Sequence, residues 1–411
     1  MAEVAASGFL RELCGSSLRA LRLKAFEPKA NRCRKDAKEH RSEGVDGNVC
    51  ASPLPIGSIG KETLAGIIPP AVIFPSKTRS YKLPLTDKFG RAITDLRISI
   101  TDRCNYKCVY CRTGNEGAVY GELAFADYLR MARVLVSLGI TKVRITGGEP
   151  LLRKGVVDFV RELAFQRSVE SEPLDIAITT NGHLLADMAQ PLKDAGLNRV
   201  TVSMDAVDPD RFARITRVPG GFDHVLAGMR AARDCGLGPV KVNCVLMRGF
   251  NEDQIIPFGM FAREERVIVR FIEFMPLEED RVWAPETVVT LDEILTRMAE
   301  YRPLIEIPHA HSETARRYRF DDRIGEIGII APVSHPFCGH CSRIRITSDG
   351  KIRTCLFSVW DHDLHELMRR GASDDDLAHF IRQVVSRKEQ RHHIGEPDFV
   401  PASRTMVHIG G

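Results

Sequence analysis

The chain has 411 residues, of which 44% are hydrophobic and 27% are charged, and its formal net charge is +4. These values are typical of a globular protein, and a modest charge without basic blocks does not favour a nucleic-acid-binding protein. No apolar run reaches the roughly 18 residues that a membrane-spanning helix requires. With 11 cysteines in a chain of this length, a small disulfide-rich protein is not predicted either.

Residues 1–80 form a segment of different composition, rich in Ala, Ser, Pro, Arg and Lys. Its arginines are compatible with a mitochondrial transit peptide, but Glu12 and Glu27 oppose that interpretation because transit peptides contain few acidic residues. We therefore favour a disordered or poorly structured extension and a cytoplasmic protein, with the mitochondrial matrix as the alternative. Cys14, Cys33 and Cys50 are irregularly spaced in this segment, and we assign no function to them.

From Asp95 onward, short β-branched runs alternate with amphipathic stretches, which predicts an α/β fold with a parallel sheet and crossover helices. Helices are predicted over Leu123–Leu138 and Phe222–Ala232. Three glycines stand where helices should end: Gly139, Gly196 and Gly236. The predicted strands are Leu96–Ile100, Lys142–Thr146, Asp175–Thr179, Arg199–Ser203, Val240–Val245 and Val267–Phe274.

Six such units are too few for a closed eight-stranded barrel. We therefore expect an open, partial six-stranded βα barrel over residues 81–285. Residues 286–411 should form a C-terminal α+β extension. In barrels of this kind the loops after the strands build the active site, so residues at those positions are the first candidates for function.

The segment after the first predicted strand contains Cys104, Cys108 and Cys111 in a CxxxCxxC pattern, called here the first trio. Three thiolates can bind three irons of a four-iron cluster and leave the fourth iron open, whereas a structural zinc site normally has four protein ligands. No fourth Cys or His lies within several residues of Cys111, so zinc is the less favoured alternative. Thiols that bind metal must stay reduced, which argues for an intracellular compartment.

Other candidates also follow predicted strands. Gly147 and Gly148 follow the second strand, and their missing side chains would let the backbone approach a ligand closely, although an ordinary turn is the alternative. Ser203 ends the fourth strand and Met275 follows the sixth. Taken alone, each of these two would be ordinary packing at the end of a strand.

A second trio, Cys338, Cys341 and Cys355, lies near the C-terminus. Its CxxC unit is also a common zinc half-site, which His335 or His340 would complete. The spacing alone therefore leaves zinc and an iron–sulfur cluster both open at this position.

Basic residues on predicted strands are candidates for binding an anion. Arg343 and Arg345 are two residues apart, so on a strand both would face one anionic or planar partner, unless they lie on a solvated face. The chain lacks a GxxxxGK[ST] phosphate loop, so phosphates would have to be bound by side chains such as Arg97, Arg144 and Lys241. The alternative for each is a buried ion pair with a carboxylate.

The CxxxCxxC pattern with Tyr110 before its last cysteine, followed one strand later by Gly147-Gly148-Glu149-Pro150, resembles the radical S-adenosylmethionine (SAM) superfamily. In that superfamily the open iron of a [4Fe-4S] cluster binds SAM, and an electron from the cluster cleaves SAM to methionine and a 5'-deoxyadenosyl radical. The resemblance implies that the first trio holds this cluster. It also implies that SAM is contacted by Tyr110, Gly148, Ser203 and Met275.

Further motifs, from near Pro84 to the end, resemble the GTP 3',8-cyclase family, which carries out the first step of molybdenum cofactor biosynthesis. They are FCxxCxRxR with a later Cys, Asp87-x-Phe-Gly90, Leu96-Arg97, Lys241-Val-Asn243 and Gly410-Gly411. The Gly410-Gly411 pair resembles the C-terminal tail that enters the active site in this family. The resemblance implies a second [4Fe-4S] cluster on Cys338, Cys341 and Cys355, facing the guanine. The implied GTP contacts are Arg97, Arg144, Thr179, Lys241, Arg343 and Arg345, and of these Arg97, Arg343 and Arg345 are the predicted catalytic residues. Arg112-Thr113 differs from the Met-Pro or Leu-Pro that many relatives have at this position. The difference lies beyond the three cysteines and puts only the resemblance of that loop in question.

The implied reaction removes the C3' hydrogen of GTP and joins C3' to C8 of the guanine, giving (8S)-3',8-cyclo-7,8-dihydroguanosine 5'-triphosphate. Besides GTP and SAM, the expected partners are an electron donor such as flavodoxin or ferredoxin, the next pathway enzyme (cyclic pyranopterin monophosphate synthase) and a second copy of the chain in a homodimer. No nucleic acid or membrane is expected. The alternatives are another radical SAM enzyme with an auxiliary cluster, such as a peptide-modifying one, and a zinc-stabilised interaction module without catalytic activity.

Overall fold

The computed structural model describes residues 84–111, 119–308, 310 and 312–410. The predicted extension over residues 1–80, with its three cysteines, lies outside the described residues, as do residues 112–118 and Gly411. Among the described residues, no helix combines the length and the apolar character needed to cross a membrane.

Six strands form a parallel sheet in which each strand pairs with the next one along the chain. The six predicted strands are confirmed, and none of their ends is displaced by more than about one residue, within the usual uncertainty of strand ends. They are β1 (Asp95–Ser99), β2 (Lys142–Thr146), β3 (Asp175–Thr180), β4 (Arg199–Ser203), β5 (Lys241–Leu246) and β6 (Ile268–Glu273).

Helices fill the connections between these strands. They are α1 (Phe125–Ser137), α2 (Val156–Phe165), α3 (Leu185–Asp194), α4 (Pro209–Thr216), α5 (Gly221–Asp234) and α6 (Ile255–Glu264). Both predicted helices, α1 and α5, are present. Gly139, Gly196 and Gly236 follow α1, α3 and α5 with φ of 110°, 100° and 79°, a left-handed conformation in which glycine readily ends a helix.

The C-terminal region extends the same sheet at both edges. It contains α7 (Leu291–Tyr301), β7 (Leu304–Ile307), β8 (Arg316–Phe320), β9 (Glu326–Ile330), β10 (Arg343–Ile346), β11 (Lys351–Arg353), β12 (His362–Asp363), α8 (Leu364–Arg369), α9 (Asp374–Ser386) and α10 (Met406–Ile409). Strand β10 pairs in parallel with β1, and β9 pairs in parallel with β6. The two strands thereby satisfy the hydrogen-bonding groups that an open six-stranded sheet would leave exposed at its edges.

Alternation along the strands separates an apolar face from a polar one. Leu96 and Ile98 of β1 and Val143 of β2 are buried in a core shared with the helices. Arg97, between the two β1 residues, lies on the opposite face because successive side chains of a strand point to opposite sides. The helices therefore cover one face of the sheet, and the other is free to form a polar site.

Candidate active site

Every site residue predicted from the sequence lines one cavity of about 470 Å³ on the polar face of the sheet. The cavity brings together side chains from strands, from strand-end loops and from the C-terminal region. They are Cys104, Cys108, Cys111, Cys338, Cys341, Cys355, Tyr110, Gly148, Ser203, Met275, Arg97, Arg144, Thr179, Lys241, Arg343 and Arg345.

The first trio lies on a loop that hydrogen bonds from backbone N–H groups hold on both sides. The N–H of Val109 donates to the carbonyl of Ile215 at 3.0 Å, which ties the loop to α4. Asp102 is fully buried and accepts the backbone N–H of Tyr120 at 2.7 Å, where the chain leaves the loop. The loop is therefore held in place by groups other than the cysteines themselves.

The spacing of the sulfur atoms tests which metal centre fits each trio. Tetrahedral zinc with Zn–S bonds of about 2.3 Å would place its sulfur ligands about 3.8 Å apart. Among the described residues, which include all the cysteines of both trios, neither trio has its three sulfurs within 4.8 Å of one another, and no His, Asp or Glu joins two of them within that distance. Neither trio therefore has the ligand spacing of a zinc site, either alone or together with a His, Asp or Glu of the described residues.

Two glycines allow the loop after β2 to pack directly on the first-trio loop. The N–H of Gly148 donates to the carbonyl of Thr101 at 2.8 Å, and that of Glu149 to the carbonyl of Arg103 at 2.7 Å. A Cβ atom on Gly148 would lie 2.3 Å from the Arg103 carbonyl oxygen and 3.1 Å from Cys104 Cβ. Glycine is required here by this close approach of two backbones.

We expect Gly148→Ala to weaken SAM binding by about 10-fold or more and to lower the iron content of the first site, because the added methyl group must displace the Arg103–Cys104 backbone. Iron quantitation and equilibrium dialysis with SAM measure both effects. Gly339→Ala is the matched control, since Gly339 also neighbours a trio cysteine but a Cβ there has no atom within 4 Å. Equal behaviour of the two variants would contradict the prediction.

Buried carboxylates connect the strand-end loops around the first trio. Glu149 accepts from Thr180 Oγ1 and from the N–H of Asn181, both at 2.7 Å, and burial raises its pKa to about 7. Asp205 accepts the hydroxyl of Tyr110 at 2.8 Å, and burial raises its pKa to about 6. Asp205 therefore orients Tyr110, which the sequence analysis assigned to SAM contact, and Glu149 ties the loop after β2 to the end of β3.

Adjacent strands place three arginines side by side in the cavity. Arg97 on β1 is in register with Arg345 on β10 and with Arg144 on β2. Burial, together with repulsion from Arg144 and Arg343, lowers the pKa of Arg97 to about 9, even though Asp95 opposes the shift. Charges of like sign gathered in a buried site favour the binding of an anion.

Two of the cavity cations have neither a hydrogen bond nor an ion pair among the residues that the structure describes. Within the described part of the chain, neither Arg97 nor Lys241 has a hydrogen bond or an ion pair within 4 Å, whereas Arg144 donates to Thr201 Oγ1 at 3.1 Å. Burial, followed by the charge of Arg270, lowers the pKa of Lys241 to about 8. The alternative of a buried ion pair is thereby disfavoured for Arg97 and Lys241.

Arg270 on β6 belongs to the same basic lining and was missed by the sequence analysis. Its Nε donates to Asn243 Oδ1 at 2.9 Å, and its Nη2 lies 3.3 Å from Thr201 Oγ1. A charged residue within an apolar strand was the signal that identified Arg97, Arg144 and Lys241, and the same signal would have identified Arg270.

The C-terminal tail reaches this cavity. Arg345 Nη1 donates to the carbonyl of Gly410 at 2.7 Å, and a Cβ on Gly410 would lie 2.2 Å from Thr146 Oγ1. The tail is anchored by Arg404, which is 4% exposed and donates to Asp349 at 2.8 and 2.9 Å. A glycine at the tip is therefore required by its tight contact with β2.

An α/β sheet whose strand-end loops bear a three-cysteine site is the architecture of a radical SAM protein. Residues 98–262 match the Radical SAM superfamily, and residues 267–394 match Molybdenum Cofactor Synthesis C. In fold the chain resembles Streptococcus suis SuiB bound to S-adenosylmethionine, with a TM-score of 0.51 and 16% identity, over 78% of this chain and 77% of that one. The chain is a radical SAM protein.

The sequence relatives identify the family. The GTP 3',8-cyclase of Rhodopirellula baltica is 42% identical over 338 residues, covering 80% of this chain and 92% of its own length. That of Thermodesulfovibrio yellowstonii is 40% identical over 80% of this chain and 100% of its own length. This chain belongs to the GTP 3',8-cyclase family of enzymes. The predicted family, fold class and enzyme class are confirmed, and the roles of individual residues remain predictions.

Proposed function

We propose that the chain cyclises GTP to (8S)-3',8-cyclo-7,8-dihydroguanosine 5'-triphosphate, joining C3' of the ribose to C8 of the guanine. The observation that carries this proposal is a single cavity lined by two cysteine trios and by partly buried cations, of which Arg97 and Lys241 have neither a hydrogen bond nor an ion pair among the described residues. A site for SAM alone does not call for so many buried positive charges. A nucleoside triphosphate does, because its phosphates supply the missing negative charge.

Two [4Fe-4S] clusters and SAM fit the donor sets of this cavity. The first trio would hold the cluster that binds SAM, while Tyr110, Gly148, Ser203 and Met275 would contact SAM itself. When bound, this cofactor pair supplies a carbon radical able to take the hydrogen atom from C3' of GTP. Cys338, Cys341 and Cys355 would hold the second cluster on the side of the guanine.

The side chains of the cavity would orient GTP between the two sites. Arg144, Lys241 and Arg270 would bind the triphosphate, with Thr179 beside Arg144 at 3.3 Å. Arg97 and Arg345, adjacent in register, would hold the nucleotide where C3' and C8 approach each other, and Arg343 would contact it beside Cys341. Holding the two reacting atoms in position supplies a large part of the rate enhancement of such a reaction. Exclusion of water from the cavity prevents the radical from being quenched.

The finer partners also belong to this proposal. Reduction of the clusters calls for a one-electron donor such as flavodoxin or ferredoxin. The product would pass to cyclic pyranopterin monophosphate synthase, and the chain would act as a homodimer.

Anaerobic turnover tests the proposed activity. Reconstituted full-length protein given dithionite, SAM and GTP deuterated at C3' is expected to form 5'-deoxyadenosine and a cyclised nucleotide in equal amounts, with the deuterium in the 5'-deoxyadenosine. Mass spectrometry measures both products, and ATP in place of GTP is the control. Formation of 5'-deoxyadenosine at the same rate without GTP, or its deuterium-free formation with GTP, would contradict the assignment.

A further inference from the structure

A buried lysine donates hydrogen bonds to two of the chain segments that carry the cysteines of the second trio. Lys388, just after α9, is 2% exposed. Its Nζ donates to the carbonyl of Arg343 at 3.1 Å and to the carbonyl of Thr354. Arg343 follows Cys341 by two residues and Thr354 directly precedes Cys355. One ammonium group therefore sets the distance between the two cysteine-bearing segments.

The third segment is tied to the same stretch of chain by Arg91. Arg91 Nη1 donates to the carbonyl of Cys338 at 2.8 Å and to that of Gln390 at 2.9 Å, and its Nη2 donates to the carbonyl of Glu389 at 2.6 Å. Residues 388–390 and Arg91 thus form one hydrogen-bonded scaffold, which contacts the backbone at or near each cysteine of the second trio.

The two buried cations differ in their charge balance. Arg91 forms an ion pair with the buried carboxylate of Asp87. Lys388 has no carboxylate within 4 Å among the described residues, and the neighbouring Glu389 instead accepts Thr354 Oγ1 at 2.6 Å. A buried ammonium without a counter-ion is costly, so an anion close to Lys388 is required to balance it.

The groups able to provide that negative charge are the cysteines. All three cysteines belong to the segments that Lys388 and Arg91 hold, and the Cys341 sulfur also accepts from Arg343 Nη2 at 3.4 Å. Three thiolates around iron would carry the negative charge that the scaffold lacks.

We infer that Lys388 is a positioning residue of the second iron–sulfur site, and that its buried charge balances the anionic metal–thiolate centre and raises its reduction potential. Cations near a cluster favour the reduced, more negative state, and net charge and hydrogen bonding are among the factors that set cluster potentials. The inference rests on cluster binding by the second trio and does not depend on GTP being the substrate.

The test uses the full-length chain with the first trio replaced by alanine, so that all bound iron belongs to the second site. In this background we compare Lys388→Met, Lys388→Arg and the control Lys193→Met, since Lys193 also donates to a carbonyl, that of Gly236 at 2.9 Å, but lies on α3. Iron retained against a chelator and the midpoint potential, followed by electron paramagnetic resonance, are measured.

We expect Lys388→Met to retain iron about 10-fold less tightly and to shift the midpoint potential to more negative values, while Lys388→Arg stays close to the parent. Failure of the Met variant alone to assemble a cluster would support the inference as well. Equal values for Lys388→Met and Lys193→Met would overturn it. Equal losses in the Met and Arg variants would also overturn it, because they would show that shape and not charge is required.

Discussion

Replacing Cys104 by alanine is expected to abolish 5'-deoxyadenosine formation and to remove roughly half of the iron, since each trio would hold one four-iron cluster. Replacing Cys338 is expected to remove the other half and to abolish the cyclised nucleotide, while SAM cleavage by the first site persists. The reason is that the two trios come from different loops, with separate sets of supporting hydrogen bonds. Anaerobic iron and sulfide quantitation, together with product analysis, measures these effects.

Cys235→Ala is the matched control for both variants. Cys235 follows α5 and its thiol donates to the carbonyl of Ala232 at 3.3 Å, so its replacement should leave the iron content unchanged. Loss of all iron from either trio variant would show that the two sites do not assemble independently.

Replacing Arg97 by methionine is expected to raise the KM for GTP by about 10- to 100-fold, since a charge-assisted hydrogen bond contributes about 1.5 to 3 kcal/mol. The free energy of unfolding should nevertheless stay the same or rise. Burial lowers the pKa of Arg97 to about 9. The charged guanidinium therefore destabilises the folded chain relative to the unfolded chain at neutral pH, and this destabilisation decreases as the pH rises through about 9. Steady-state kinetics and denaturant unfolding together check both expectations.

Arg353→Met provides the contrast. Arg353 is 0% exposed like a core residue, but it donates to Asp361 and to the carbonyl of Ser358. Its loss should destabilise the chain by on the order of 3 kcal/mol, because it removes two charge-assisted hydrogen bonds, one to the half-buried carboxylate of Asp361 and one to the buried carbonyl of Ser358. If Arg97→Met destabilised the protein as much as Arg353→Met does, Arg97 would be a structural residue and its assignment to GTP would fail.

The strands were predictable because each is a short β-branched run whose signal lies within a few residues. The same holds for α1 and α5, whose apolar stripes repeat at helical spacing. The sequence did not predict that β9 and β10 would cover the edges of the sheet, since the register of Leu96 with Ile344 depends on hydrogen bonds between segments far apart in the chain. The burial of Lys388 was not predictable either, because nothing in the residues next to a lysine that follows a helix indicates that it is buried.

By itself, the sequence determined the family of the protein and the candidate residues for its chemistry, because cysteine spacing and glycine-containing motifs are local properties of the chain. Only the tertiary structure decided which of these residues share one cavity and which of its cations have no hydrogen bond or ion pair in the described part of the chain. Parallel strands bring their carboxyl ends to one edge of a sheet whatever their distance in sequence, and Gly410 meets Arg345 across 65 residues in the same way. Burial and charge balance arise from such contacts, and for that reason no local pattern contains them.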